Sequence, residues 1–150
     1  MLNPAPANDE IDIERVKKVA FYAPNETELA RLTKMPTETV TEIKVAAQSL
    51  VDLGVKNVIV TMGSQGALWV DQNHRELIPS HPVKAVDSIG AGDSFVGAFA
   101  HYYTSGQDIS TSLKNANAYA AVTVTRVGSQ TSYPTADELP ALKVSLGITE

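Results

Sequence analysis

Cysteine is absent from the 150 residues, which removes disulfides, thiolate metal sites and cysteine nucleophiles together. Three scattered histidines are too few for a His-built metal centre. Bases are outnumbered, 12 Lys and Arg against 17 Asp and Glu, for a formal charge of −5. A general nucleic-acid binder needs a basic face, so no nucleic-acid partner is expected. No run approaches 18 consecutive apolar residues, so no membrane span is expected. Nine Gly and eight Pro are near-average usage and exclude collagen-like or low-complexity sequence. Met1-Leu2-Asn3-Pro4-Ala5-Pro6 lacks the basic segment and long apolar core of a secretory signal. The expected compartment is therefore the cytoplasm, with the nucleus open to a eukaryotic chain.

What is present suits one ordinary folded domain: 43% hydrophobic and 19% charged residues. Leu2 to Ala7 reads as a strand end entering a Pro-rich turn, and 11–18 as a short helix. Val19 to Ala23 reads as a buried strand stopped by Pro24. Asn25 to Thr33 is helical, with Glu26 and Glu28 where the helix dipole favours carboxylates. Residues 37–53 form the clearest amphipathic helix. Thr39 and Glu42 have capping-box spacing, Val40, Ile43, Ala47, Leu50 and Val51 share a face, and Gly54 is the stop. Asn57 to Thr61 reads as a buried strand. Ala67–Val70 and Glu76–Pro79 flank Asp71-Gln72-Asn73-His74 as a hairpin. Val83 to Val86 is expected as a short strand. Helices are expected over 91–103, with Phe95, Phe99 and Tyr102 on one face, over 112–127, and over 137–146. Alternating strands and helices predict an α/β fold with a mainly parallel sheet, a three-layer αβα arrangement.

Three segments can carry chemistry. Ala85-Val86-Asp87-Ser88-Ile89-Gly90-Ala91-Gly92-Asp93-Ser94-Phe95 leads from a predicted strand through a glycine turn into a helix. Backbone N–H groups at a helix start are unpaired and can bind an anion. Asp93 beside such an anion would repel a phosphate, unless it serves as general base for a hydroxyl attacking phosphorus. The plainer reading is a tight turn followed by a helix-start carboxylate. Thr61-Met62-Gly63-Ser64-Gln65-Gly66 also follows a strand and either lines a nucleotide or simply turns the chain. Pro24-Asn25-Glu26-Thr27-Glu28 puts Asn25 and Glu28 three apart, so both can face one point. They suit a water-rich Mg²⁺ shell on substrate phosphates, or plain N-capping. No Walker loop and no Gly-x-Gly-x-x-Gly fingerprint occurs. All three segments follow predicted strands and can converge on one sheet edge.

These segments, with Asn3-Pro4-Ala5-Pro6 and Gly128-Ser129-Gln130-Thr131-Ser132-Tyr133-Pro134, resemble the C-terminal half of ribokinase-like carbohydrate kinases, across essentially the whole chain. The closing Gly-Ser-Gln-Thr-Ser-Tyr-Pro run points within that family to the ribokinases. The resemblance implies a kinase using ATP to phosphorylate D-ribose to ribose 5-phosphate. It makes Asp93 the base that takes the sugar 5-hydroxyl proton, and the backbone of Gly90, Ala91 and Gly92 the anion hole. It implies nucleotide contacts at Asn25, at Thr61, Met62, Gly63, Ser64, Gln65 and Gly66, and at Asn117 against the base. Glu28 would organise Mg²⁺ through water. An activating K⁺ would sit on the Asp87 carboxylate, the Ser132 hydroxyl and the carbonyls of Ile89, Thr123, Arg126 and Gly128.

The family's N-terminal half, with its glycine-rich sugar segment and β-sheet lid, has no counterpart in the sequence. The expectation is therefore a fragment or truncated product, residues 1–150 forming the ATP-binding and catalytic part. Full-length members are expected as homodimers, and this chain as prone to self-association. Three functions stay open: the catalytic half of a ribokinase or another sugar or nucleoside kinase of the family, a nucleotide-binding module without turnover, and a non-enzymatic interaction protein.

Overall fold

A computed structural model describes residues 1–4 and 11–148. Ala5, Pro6 and Ala7 of the expected first turn lie outside the described residues. The chain divides into two compact units, one of residues 1–63 and 67–77, the other of residues 64–66 and 78–150.

In the first unit, α1 (Ile13–Val16), α2 (Glu26–Thr33) and α3 (Val40–Asp52) precede β1 (Val58–Thr61). Helix α3 starts at the expected capping box, three residues inside the expected span of 37–53. The Thr39 hydroxyl accepts from Glu42 N–H at 3.2 Å, and the Glu42 carboxylate accepts from Thr39 N–H at 2.9 Å. Its buried face is Ile43, Ala46, Ala47, Leu50 and Val51. These pack in one apolar cluster with Val16, Tyr22, Leu29, Val58, Val60, Leu68 and Val70. Burying a Leu- or Ile-sized side chain stabilises by about 1.5–3 kcal/mol, so this cluster dominates the unit's energetics.

Strand β1 has neighbours of opposite direction on its two sides. Antiparallel β2 (Ala67–Val70) pairs Val58 with Val70 and Thr61 with Ala67, and β3 (Arg75–Ile78) follows it in the order β1-β2-β3. On the other side the chain near Tyr22 runs parallel, bridging both Leu2 and Val58, and Asn25 bridges Thr61. The strand expected over 19–23 is thus a short parallel bridge at Tyr22. Tyr22 N–H donates to Asn57 O and Ile59 N–H donates to Tyr22 O, and Pro24 adds no N–H of its own. The hairpin is tied at Asp71, whose carboxylate accepts from Asn73 and His74 N–H. The His74 ring stacks on Trp69 at 4.4 Å.

The second unit holds α4 (Ala91–Thr104), α5 (Ile109–Thr123) and α6 (Leu139–Ser145). Phe95 and Phe99 are buried on α4 as their spacing predicts. Helix α5, capped by Asp108, runs from Ile109 to Thr123, three residues earlier at its start and four earlier at its end than expected. The expected strand at 83–86 is not one. Pro82 and the exposed Lys84, Ala85 and Val86 leave this stretch irregular, held by Val86 N–H and Asp87 N–H donating to Val124 O. Ala118, Ala121, Val122 and Ile148 form an apolar cluster in this unit, with Leu139, Leu142 and Leu146 against it.

Candidate functional site

Gly90 is the N-cap of α4, at φ +80° and ψ 0°, and has no side chain to cap the helix. A Cβ there would lie 2.8 Å from the Tyr133 hydroxyl and 3.3 Å from Ser129. Both the backbone conformation and the space require glycine. The Gly90 carbonyl accepts from Ser94 N–H at 2.9 Å and from the Tyr133 hydroxyl at 3.1 Å. Ala91 N–H donates to Ser88 O at 3.2 Å. Of the three backbone groups expected as an anion hole, Ala91's is therefore engaged within the turn. Among the described residues, no acceptor meets the N–H of Gly90, Gly92 or Asp93. They stand at the positive end of a 14-residue helix, the arrangement that binds anions. A Cβ on Gly92 would meet nothing within 4 Å, so its glycine answers no crowding within the chain. The Asp93 carboxylate is exposed beside these donors. Partial burial and the Asp93 charge push the Tyr133 hydroxyl above its ordinary pKa.

Asp87 braces the same turn. One carboxylate oxygen accepts from Ile89 N–H at 2.9 Å, the other from Gly128 N–H at 3.0 Å. Those two bonds hold its carboxyl below the usual carboxylate range, so it is charged at neutral pH. Gly128, at φ +98°, has no room for a Cβ against the Thr131 hydroxyl. Ser132 is fully buried and donates to Ser129 O at 2.6 Å. The Thr123 carbonyl accepts from Arg126 N–H, and the Arg126 guanidinium lies 3.5 Å from the Glu138 carboxylate. Direct bonds thus bring Asp87, Ile89 and Gly128 together, while Ser132 is turned toward its own 3₁₀ turn. A carboxylate, a hydroxyl and carbonyls make an oxygen-only set that fits a hard cation. Among the described residues, no cluster of three or more His, Asp or Glu side chains could hold a metal ion, so any ion here depends on backbone oxygens.

In the first unit Asn25 and Glu28 are joined to each other. The Asn25 side chain accepts from Glu28 N–H at 2.9 Å, and Glu28 Oε2 accepts from Asn25 N–H at 2.8 Å. This is the capping box that the plainer reading describes. It does not exhaust Glu28, which is 7% exposed and keeps its second oxygen. A buried carboxyl with one oxygen outside the cap fits a site completed by Mg²⁺ and its waters. The Tyr22 hydroxyl is buried with no hydrogen-bond partner, and burial, with the Glu28 charge, raises its pKa. The Asn25–Thr61 bridge sets this box beside the end of β1.

The segment after β1 divides by role. Met62 belongs to the apolar cluster. Gly63 to Gln65 make one 3₁₀ turn, and Ser64 and Gln65 are exposed. Gly66, at φ +101°, leaves no room for a Cβ against Ile78 O and Ser80 N. Asn117, expected against the nucleotide base, is 4% exposed, and its amide donates to Ile78 O at 3.0 Å and Pro79 O at 3.2 Å. Its donors serve the chain where β3 ends. Sequence reasoning missed two residues that touch these positions. Tyr22 looked like any strand aromatic, and Tyr133 carried no signal beyond its place in the closing run.

Residues 1–136 match the model of the pfkB family carbohydrate kinases. A deoxyribokinase of Salmonella typhi is 49% identical over 138 residues, covering 92% of this chain and 45% of its own. The ribokinase of Mus musculus is 38% identical, with 93% and 45% covered. Among solved structures, the ribokinase of Thermotoga maritima superposes with a TM-score of 0.84 at 38% identity, over 93% of this chain and 47% of its own. Arabidopsis thaliana ribokinase, solved with ribose and ATP, gives 0.81 at 35%, over 91% and 45%. An Escherichia coli neighbour was solved with ATP and Mg²⁺, and Escherichia coli phosphofructokinase-2 with potassium. The chain spans about half the length of the relatives it matches. Its α/β fold is that of the ribokinase-like structures, and it belongs to the pfkB family of carbohydrate kinases.

Proposed function

We propose that this chain supplies the ATP site, anion hole and catalytic base of a pentose kinase that phosphorylates the 5-hydroxyl of ribose or 2-deoxyribose. The observation that carries the reading is the uncapped start of α4: three unpartnered N–H groups beside an exposed Asp93. The sugar is either ribose, as the closing run suggests, or 2-deoxyribose, as the higher identity to a deoxyribokinase suggests.

In this reading Asp93 accepts the hydroxyl proton as the sugar oxygen attacks the γ-phosphorus of ATP. A new O–P bond forms, the bond to the bridging β–γ oxygen breaks, and ADP leaves. The N–H groups of Gly90, Gly92 and Asp93 face the charge on the transferred phosphoryl, where preorganised donors lower the barrier most. Asn25 and the turn from Thr61 to Gly66 hold the nucleotide. Glu28 holds Mg²⁺ through water, and the ion neutralises phosphate charge when bound. Asp87, Ser132 and the neighbouring carbonyls hold K⁺. The charged Asp87 carboxylate, bonded to Ile89 in the turn and to Gly128 in the segment at 128–133, supports that assignment.

The test is ADP release by the chain completed with the N-terminal half of the Salmonella deoxyribokinase, assayed with ribose, 2-deoxyribose, fructose or no sugar. The reading predicts release stimulated by one or both pentoses and little by fructose. Nucleotide binding without stimulation by any sugar would instead make the chain a binding module, and no nucleotide binding an interaction protein.

A further inference from the structure

The start of α4 lacks the device that usually orients a helix N-terminus. Gly90 contributes no capping side chain, so only the backbone bonds of the turn itself hold the peptide planes that aim its free donors. The remaining orientation comes from the segment at 128–133. At one end Gly128 N–H meets the Asp87 carboxylate, which also receives Ile89 N–H. At the other end the Tyr133 hydroxyl donates to the Gly90 carbonyl at 3.1 Å. That carbonyl already accepts from Ser94 N–H. Two donors on one carbonyl fix its direction, and the planar peptide fixes with it the Ala91 N–H, which donates to Ser88 O; the Gly92 and Asp93 N–H groups belong to the helical turn that starts from this peptide. Gly90 has no space for a Cβ because the Tyr133 hydroxyl stands 2.8 Å from where it would be. Tyr133 itself is held by its half-buried place between the buried Ser132 and Pro134.

We propose that Tyr133 is a positioning residue for the phosphate-binding turn: its hydroxyl holds the Gly90 carbonyl and so aims the Gly92 and Asp93 N–H groups at the terminal phosphoryl group of ATP. The inference rests on the kinase reading above and adds a residue which that reading leaves idle. It makes a specific demand. Donors aimed at the γ-phosphoryl recognise ATP and do not recognise ADP, so the hydroxyl contributes to the preference for ATP over ADP and not to nucleotide affinity in general.

The experiment measures ATP and ADP affinity by calorimetry, in Mg²⁺ and K⁺, for the chain completed with the N-terminal half of the Salmonella deoxyribokinase, unmutated and as Tyr133→Phe and Tyr119→Phe. Tyr119 is the control, because its hydroxyl donates to Pro134 O at 2.9 Å and ties down the same segment without touching the turn. The expected result is an ATP-over-ADP preference in the unmutated chain that falls about three- to tenfold in Tyr133→Phe, the scale of one hydrogen bond. ADP affinity stays within about twofold, and Tyr119→Phe keeps the preference. If Tyr133→Phe does not fold, Tyr133→Leu carries the same test. The inference is overturned by an unchanged preference in Tyr133→Phe, by equal weakening of ATP and ADP, by an equal effect of Tyr119→Phe, or by an unmutated chain that binds both nucleotides alike. An unmutated chain that binds neither nucleotide sinks the kinase reading itself, and the inference with it.

Discussion

Asp87 shows how much one side chain can be asked to do. It carries charge at neutral pH because two backbone N–H groups stabilise the ionised form. Its folded pKa lies below the unfolded value, so the linked stability is complete above the ordinary aspartate range, about 3.9. It is lost as pH falls through the folded value. Asp71, Asp108 and Glu138 are lowered in the same direction by their own hydrogen bonds, so acid loosens several turns at once. Asp87→Asn should leave a smaller drop in urea midpoint between pH 7 and pH 3 than the unmutated chain shows, and a lower midpoint at pH 7. An identical drop would mean that the two bonds do not favour the charged form. Contacts were legible in sequence where geometry is local. Gly90 and Asp93 sit within one turn, and their spacing announces it. Asn117 was not legible, because its partners Ile78 and Pro79 are nearly forty residues away and no spacing rule reports that contact.

At the scale of elements, the helices whose ends are built from side chains were the readable ones. Thr39 and Glu42 close their box as the sequence says, and the apolar spacing of α3 becomes its buried face. Val83 to Val86 misled because two valines suggest a strand, while the neighbouring Pro82 and exposed Lys84 leave no apolar surface for one to cover. Helix α2 is the element where structure and chemistry overlap, since Asn25 and Glu28 form its cap and are also the expected nucleotide and Mg²⁺ residues. The two roles separate by measurement. Asn25→Ala removes the cap acceptor and should lower stability by about 1 kcal/mol. Glu28→Ala should lower stability comparably and also raise the Mg²⁺ concentration needed for half-maximal activity of the completed kinase, with recovery at saturating Mg²⁺. A Glu28→Ala enzyme with unchanged Mg²⁺ dependence would leave Glu28 as a cap and nothing more.

For the whole molecule, the family and the α/β class follow from the order of the segments: the turns at Asn25 and Thr61 follow the bridge at Tyr22 and strand β1, while the turn at Gly90 follows the irregular stretch 83–86. The sheet was less legible. Its parallel side is a set of single bridges at Leu2, Tyr22 and Asn25, too short for any apolar run to mark their limits. The functional account rests on Asp93 acting in the chemistry and not as a helix-start charge. The most direct measurement is kcat and ATP affinity for Asp93→Asn in the chain completed with the Salmonella deoxyribokinase N-terminal half. A lost general base is felt in the transition state, so kcat should fall about 10²-fold or more while ATP affinity changes little. A near-normal kcat would contradict the account and return Asp93 to the plain role of a carboxylate at the start of a helix.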